Sequence, residues 1–289
     1  MNLFVRPRNL RATRLPALRV LETSRLLLHE EADPARVEGL VLAFRRDRVL
    51  RNPPAVAPLS HGGRPDEAAV VLDGANRVSA LRVIGARHVI AQVVHYADPA
   101  IILSTWRHYV VGEGAAGLRG RIAARPGIRL TPVRTAREAE ARLEQHAALA
   151  AIVDGRGAAL VGPGGGPPPD AALLRDFVAA YQPGCEIYRV DGGDAEAWRA
   201  EHGPGTLVIF PPLTKEAILA IAARGGGFPA GITRHVIPGR VLRLNAPLAW
   251  LESGETTATK QRTLEAAVEH RWRQHGVRYY AEPTYLFDE

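Results

Sequence analysis

The stretch that most limits what this chain can fold into is Val70-Val71-Leu72-Asp73-Gly74-Ala75-Asn76-Arg77-Val78-Ser79-Ala80-Leu81. It reads as a buried strand, a tight turn and the start of a helix. A helix that begins there aims unpaired backbone N–H groups, and the positive end of its dipole, at whatever lies over the turn. Such a turn suits phosphate. An Asp-Gly turn before a helix is common for structural reasons alone, because aspartate caps helices and glycine serves turns. Arg77 strengthens the phosphate reading, since it lies one helical turn in and can reach the same anion.

The flanking sequence alternates strands and helices, which predicts an α/β fold. Arg25 to Leu28 ends in His29-Glu30-Glu31, and Asp33-Pro34 is a strong helix start. Glu30 therefore falls in a strand-to-helix loop, where side chains face a cleft. Strands are expected at Ala55 to Leu59 and at His88 to Tyr96. Gly112 to Gly120 is a glycine-rich boundary. Residues 115 to 227 read as a second α/β unit, with a helix at Ala136 to Leu149 and a hairpin around Asp154-Gly155-Arg156-Gly157. Thr214 caps a further helix. Phe228 to Arg240 reads as a long loop without hydrophobic period, a kind that is often functional. A strand at Val241 to Leu244, a helix at Lys260 to His275 and strands at Arg278 to Ala281 and Thr284 to Phe287 follow.

Composition narrows the classes. With a single cysteine, Cys185, the chain has no disulfide framework and no multi-cysteine zinc site. The ten histidines are scattered, which argues against catalytic zinc. No apolar run is long enough to span a membrane, and the arginine-rich start has no signal-peptide core. A cytoplasmic protein is expected. The formal charge of +7 invites a nucleic-acid reading. However, only Lys215 and Lys260 among the 37 basic residues are lysine, and the arginines are spread along the chain, so a solvated basic surface is favoured.

Singly, the remaining candidates have bland explanations: Glu30 as a solvated carboxylate, Trp106 as a core aromatic, Thr233-Arg234-His235 as surface loop. The glycines at 162–166 lack the Gly-Lys-Ser/Thr ending of a P-loop. Their order is more specific. His29-Glu30, Asp73 to Arg77, Ser104-Thr105-Trp106-Arg107-His108, and Pro229-Ala230-Gly231-Ile232-Thr233-Arg234-His235 with Gly239-Arg240 together resemble the ParB/sulfiredoxin-like free serine kinases. The resemblance runs from about Leu18 to Thr284-Tyr285-Leu286-Phe287. It is nearer to the siderophore-cluster branch than to the archaeal ADP-dependent one. Sulfiredoxin chemistry needs a cysteine beside the phosphate turn, and here there is none. The helix-turn-helix units of ParB proteins do not follow Gly112.

The resemblance implies a ParB-like nucleotide-binding domain at 18–112 after a basic arm at 1–17. A second α/β domain at 113–289 would contribute the 228–240 loop, with the active site in the cleft between them. It implies phosphoryl transfer from ATP or ADP to free L-serine, with Glu30 as general base and Asp73 as Mg²⁺ ligand. Asp73, Gly74, Asn76, Arg77, Thr233, Arg234 and His235 would hold nucleotide and phosphate; Trp106, His108 and Gly231 would line the amino-acid pocket. Two positions depart from the family: Asn76 stands where histidine is frequent, and Gly231 where some members have lysine. The competing reading is a nucleotide-responsive DNA-binding regulator. A homodimer is compatible with either.

Overall fold

The computed structural model describes residues 15–59, 68–112, 117–162, 171–182, 184–192 and 195–279. The basic arm before residue 15, the His61 to Arg64 loop, nearly all of the 162–169 loop and the strand expected at 284–287 lie outside the described residues.

The chain opens with β1 (Leu18–Glu22), a 3-10 turn, β2 (Leu26–Leu28) and α1 (Pro34–Asp47). Asp33 Oδ1 accepts the N–H groups of Ala35 at 3.0 Å and Arg36 at 3.3 Å, and Pro34 takes the first helical position. After β3 (Val49–Leu50) and β4 (Ala55–Pro58), the motif at residue 70 folds as β5 (Ala69–Asp73) and α2 (Ala75–Val83). Gly74 joins them at φ +101°, a left-handed conformation that glycine adopts without steric cost. With β6 (His88–Val93), strands β1, β2, β4 and β5 form a mixed sheet, ordered β1-β6-β4-β5-β2. β2 and β5 run parallel, so Leu28 lies opposite Val71. The segments leaving their carboxyl ends, with Glu30 on one and Asp73-Gly74 on the other, therefore open on the same edge.

β7 (Ile102–Thr105) and β8 (Arg107–Val111) are followed by α3 (Leu118–Ala123), β9 (Arg129–Val133) and α4 (Ala136–Glu144). Then come β10 (Ala150–Asp154), β11 (Gly157–Gly162), α5 (Ala171–Ala179), β12 (Glu186–Val190), α6 (Ala195–His202), β13 (Gly205–Ile209) and α7 (Lys215–Ala223). Six of these strands make an antiparallel sheet, ordered β12-β8-β13-β10-β11-β9. The chain closes through β14 (Thr233–Val236), β15 (Ala246–Pro247), α8 (Leu248–Glu252) and α9 (Thr257–Arg273). No helix among the described residues is long and apolar enough to cross a membrane.

Packing follows strand alternation. Val70 and Leu72 of β5 join a core that continues through Val110, Ile152 and Val208 of the second sheet to Phe177, Tyr181, Phe228 and Ile232. Ala69 and Val71 face the other way, onto Val41 and Phe44 of α1, Val78 and Leu81 of α2, and Leu248, Leu251 and Leu264 near the end of the chain.

This arrangement departs from the expected organisation. Gly112 does not divide the sheets, because β8, just before it, sits inside the second sheet. The segment from Leu244 onward returns to the first sheet. The 228–240 stretch is not loop throughout, since β14 pairs with β7 and sets Thr233 opposite Thr105 and Arg234 opposite Ser104. Val241 to Leu244 is not a strand: Arg243 and Asn245 adopt φ +53° and +50°, which breaks an extended ladder. The helix beginning at Ala136 stops at Glu144, and His146, at φ +53°, turns the chain away.

Candidate active site

The edge where β2 and β5 end opens into a cavity of about 1040 Å³. Its walls include Glu30, Asp73, Gly74, Asn76, Arg77, Trp106, Gly231, Thr233, Arg234 and His235, so ten of the eleven residues expected at the site share one cavity.

Glu30 is held by residues some two hundred positions away. Backbone hydrogen bonds from Glu31 N to Phe228 O (2.8 Å) and from Phe228 N to His29 O (2.7 Å) lay the second segment alongside the first. Gly231 N then donates to Glu30 Oε2 at 3.3 Å, Thr233 Oγ1 donates to Oε1 at 2.7 Å, and Thr233 N also donates to Oε1. Behind them His29, only 2% exposed, places Nδ1 2.6 Å from the Val71 carbonyl and Nε2 2.8 Å from Thr233 Oγ1.

The hydrogens in this chain can be counted. The Val71 carbonyl only accepts, so Nδ1 carries the hydrogen there and Nε2 of a neutral ring accepts. Burial, opposed by Glu30 and the Val71 carbonyl, lowers the His29 pKa, which favours that neutral ring. Thr233 has one hydroxyl hydrogen, and both His29 Nε2 and Glu30 Oε1 compete for it. The array is one hydrogen short, and a proton delivered to Glu30 completes it.

At the turn, Asp73 Oδ2 accepts from Arg77 at 2.9 Å and Arg240 at 2.6 Å. Burial alone would raise this carboxyl's pKa, but Arg77 and Arg240 outweigh it and hold it below the ordinary value. Arg77 also donates to the Asn52 carbonyl at 2.9 Å, and Arg240 to the Pro53 carbonyl at 3.0 Å. The two guanidiniums therefore brace the turn as well as charging it. Asn76 Oδ1 accepts the Asp33 N–H at 2.9 Å, which ties the start of α2 to the start of α1. That task needs no charge, so an asparagine amide suffices.

No three His, Cys, Asp or Glu side chains cluster as a metal cage among the described residues. Mg²⁺ does not require one, because it keeps several waters and takes one or two carboxylates plus substrate phosphates. Asp73 Oδ1 has no hydrogen bond among the described residues, so the residues present fit such a site.

The other residues are already partnered. Arg234 pairs with Asp191 at 2.5 Å and lies over the Trp106 ring, 4.6 Å from its centroid. His235 Nε2 meets Tyr96 Oη at 2.7 Å; burial foremost, then His29, drives its pKa down to about 3, so the ring is neutral and brings no charge to a phosphate. His108 does not line the cavity. It is 2% exposed and lies beneath the loop, with Tyr181 Oη 2.9 Å from Nδ1 and the Gly231 carbonyl 2.9 Å from Nε2. Burial lowers its pKa to about 4. The expected pocket residue is thus a support for Gly231.

Sequence reasoning quoted Arg240 without a role and passed over Arg189. Arg240 lies in a motif block, so it could have been assigned. Arg189 sits in β12, with nothing in its local sequence to point at a cavity formed by other strands.

No family model matches the chain. The ATP-dependent L-serine kinase SbnI of Staphylococcus aureus is 24% identical over 284 residues, which cover 94% of this chain and 97% of that protein. An ATP-dependent L-serine kinase of Desulfurococcus mucosus is 24% identical over 241 residues, covering 79% of this chain and 89% of that protein. Among solved structures, C-terminally truncated SbnI superposes with a TM-score of 0.67 at 23% identity, covering 88% of this chain and 97% of that one. A free serine kinase in complex with AMP superposes with a TM-score of 0.68 at 19% identity, covering 83% and 95%. The chain is thus similar in sequence to ATP-dependent L-serine kinases along nearly its whole length, and it shares the mixed α/β fold of the solved SbnI and free serine kinase structures.

Proposed function

We propose that this protein transfers a phosphoryl group from ATP to the hydroxyl of free L-serine, giving O-phospho-L-serine. The observation that carries the reading is a fixed carboxylate, Glu30, facing the same cavity as the Asp73-Gly74 turn and the first turn of α2. The kinase names of the relatives agree with it.

A serine hydroxyl is a weak nucleophile at neutral pH, and a positioned carboxylate can take its proton as the new P–O bond forms. Glu30 is fixed by three donors, so it is oriented before substrate arrives. The proton it accepts is the one its array lacks: Glu30 can then donate to Thr233, and Thr233 to His29. Gly74 has no side chain to keep phosphate from the backbone, and the N–H groups opening α2 face it with Arg77 nearby. Asp73 Oδ1 would hold Mg²⁺, which neutralises phosphate charge when bound.

The test is Glu30→Gln. Phosphoserine formation, followed by mass spectrometry, should fall by roughly 100-fold or more, while calorimetric affinity for ATP changes little. Wild-type turnover in the variant removes Glu30 from the base role.

A further inference from the structure

Seven arginines line the cavity: Arg36, Arg46, Arg51, Arg77, Arg189, Arg234 and Arg240. Six of them are paired with carboxylates. Arg36 meets Asp33, Arg46 and Arg51 meet Asp47, Arg77 and Arg240 meet Asp73, and Arg234 meets Asp191. Arg189 alone has neither an ion pair nor a side-chain hydrogen bond among the described residues. A partly buried guanidinium without an anion is costly, and its fork of N–H donors fits a carboxylate in two parallel hydrogen bonds.

The backbone makes room for this group. Gly231 is buried at φ +84°, and a Cβ built on it would fall 2.2 Å from Arg189 Nε and 2.3 Å from a terminal nitrogen. Any side chain there would displace the guanidinium. The same residue's N–H is 3.3 Å from Glu30 Oε2. Base and guanidinium therefore flank a single residue, close enough for one small molecule to touch both. Burial chiefly, and Arg36 next, lower the Arg189 pKa, while Glu30 and Asp33 favour its charge without contacting it.

We infer that Arg189 is the receptor for the α-carboxylate of the amino-acid substrate. This rests on the serine-kinase reading above. A hydroxy amino acid carries its hydroxyl and carboxylate on neighbouring carbons, matching a carboxylate base and a cation set on either side of Gly231. The phosphate end has its own cations, Arg77 in the first turn of α2 and Arg240 in the segment after β14, and both are engaged with Asp73. Gly231 is thus a specificity position: its missing side chain is the space the guanidinium occupies.

The experiment compares L-serine with L-serinamide, which keeps hydroxyl and ammonium but lacks the carboxylate, in wild type, Arg189→Met and Arg189→Lys. Wild type should favour serine by roughly 10- to 100-fold in kcat/KM, the range of a hydrogen bond to a charged group. Arg189→Met should raise the serine KM by a similar factor, leave the ATP KM unchanged and bring the two substrates within a few-fold of each other. Arg189→Lys should recover part of the preference. The melting temperature of Arg189→Met should be no lower than that of wild type, since no bond is lost. A variant that keeps the preference for serine, or one whose ATP KM rises instead, overturns the assignment. Calorimetry with L-serine needs no turnover and separates the two readings. Serine that binds wild type but not Arg189→Met, with no phosphoserine formed, sinks the kinase reading and leaves the carboxylate site standing. Equal binding to both proteins sinks the site.

Discussion

Replacing Thr233 by valine exchanges one hydroxyl for a methyl at nearly constant shape. Thr233 is 8% exposed and His29 is 2% exposed, so both lost contacts lie away from bulk solvent. Two contacts vanish, at 2.7 Å to Glu30 and 2.8 Å to His29, while the backbone N–H of residue 233 still holds Glu30. A buried ring nitrogen left without a partner costs about 1–3 kcal/mol, and a hydrogen bond to a carboxylate contributes about 1.5–3 kcal/mol. One hydroxyl hydrogen serves both contacts, so the two do not add: a loss of about 2 kcal/mol is expected, a fall in Tm of roughly 3–4 °C for a chain of this length. Turnover should drop by roughly 10- to 100-fold, because Glu30 keeps its place less firmly and the path for its proton is cut. Thr233→Ser restores the hydroxyl and should lie within about 2 °C and a few-fold of wild type, judged by the same scales. Scanning calorimetry and serine-dependent kcat measure both effects. If the valine and serine variants melt and turn over alike, the hydroxyl has no part in the array and the hydrogen count has no consequence.

Acid should destabilise the fold before its carboxylates are protonated. The His108 pKa falls from 6.5 to about 4 on folding, so below about pH 6.5 the unfolded chain takes up a proton that the folded chain refuses. That stability is complete above pH 6.5 and is lost on descending toward 4, by roughly 3 kcal/mol for this ring, with His29 acting in the same direction. Urea denaturation at pH 7, 6 and 5 reads the slope, and a flat series contradicts buried neutral rings. Asp73→Asn should abolish most turnover and weaken the dependence on Mg²⁺, since the amide keeps an acceptor for Arg77 and Arg240 but loses the charge. An unchanged Mg²⁺ titration refutes the ligand role.

Local order was legible where short-range chemistry decides it. Asp33-Pro34, Thr214 and the Asp73-Gly74 turn each start a helix as read, because caps and glycine conformations are local. That ten of the expected site residues meet at one cavity was legible from motif order, but the contacts each of them makes were not. Thr233, read as a phosphate ligand, lines the cavity and also anchors Glu30; His108 was read as a pocket wall and instead holds the Gly231 carbonyl from below. These roles come from pairings across more than one hundred residues, which spacing cannot reveal. β14 escaped notice for a related reason. Thr-Arg-His-Val has no apolar alternation, and its strand exists only because Ile102–Thr105 pairs with it. The 112 boundary failed because glycine content marks a bend, not which sheet the preceding strand joins.

The sequence separation between Glu30 and its anchors bears on how the protein is made. Glu30 and Thr233 lie 203 residues apart, and the Val20 N–H that bonds Gln261 of α9 waits 241 residues for its partner. At about 5–20 residues per second, a ribosome exposes the Glu30 carboxylate roughly 10–40 s before the donors that fix it. The Asp73-Gly74 turn, whose Asp73 and Arg77 are four residues apart, can form early in that interval. A nascent or truncated chain ending before residue 233 therefore holds the Asp73-Gly74 turn while Glu30 still lacks the donors that fix its carboxylate.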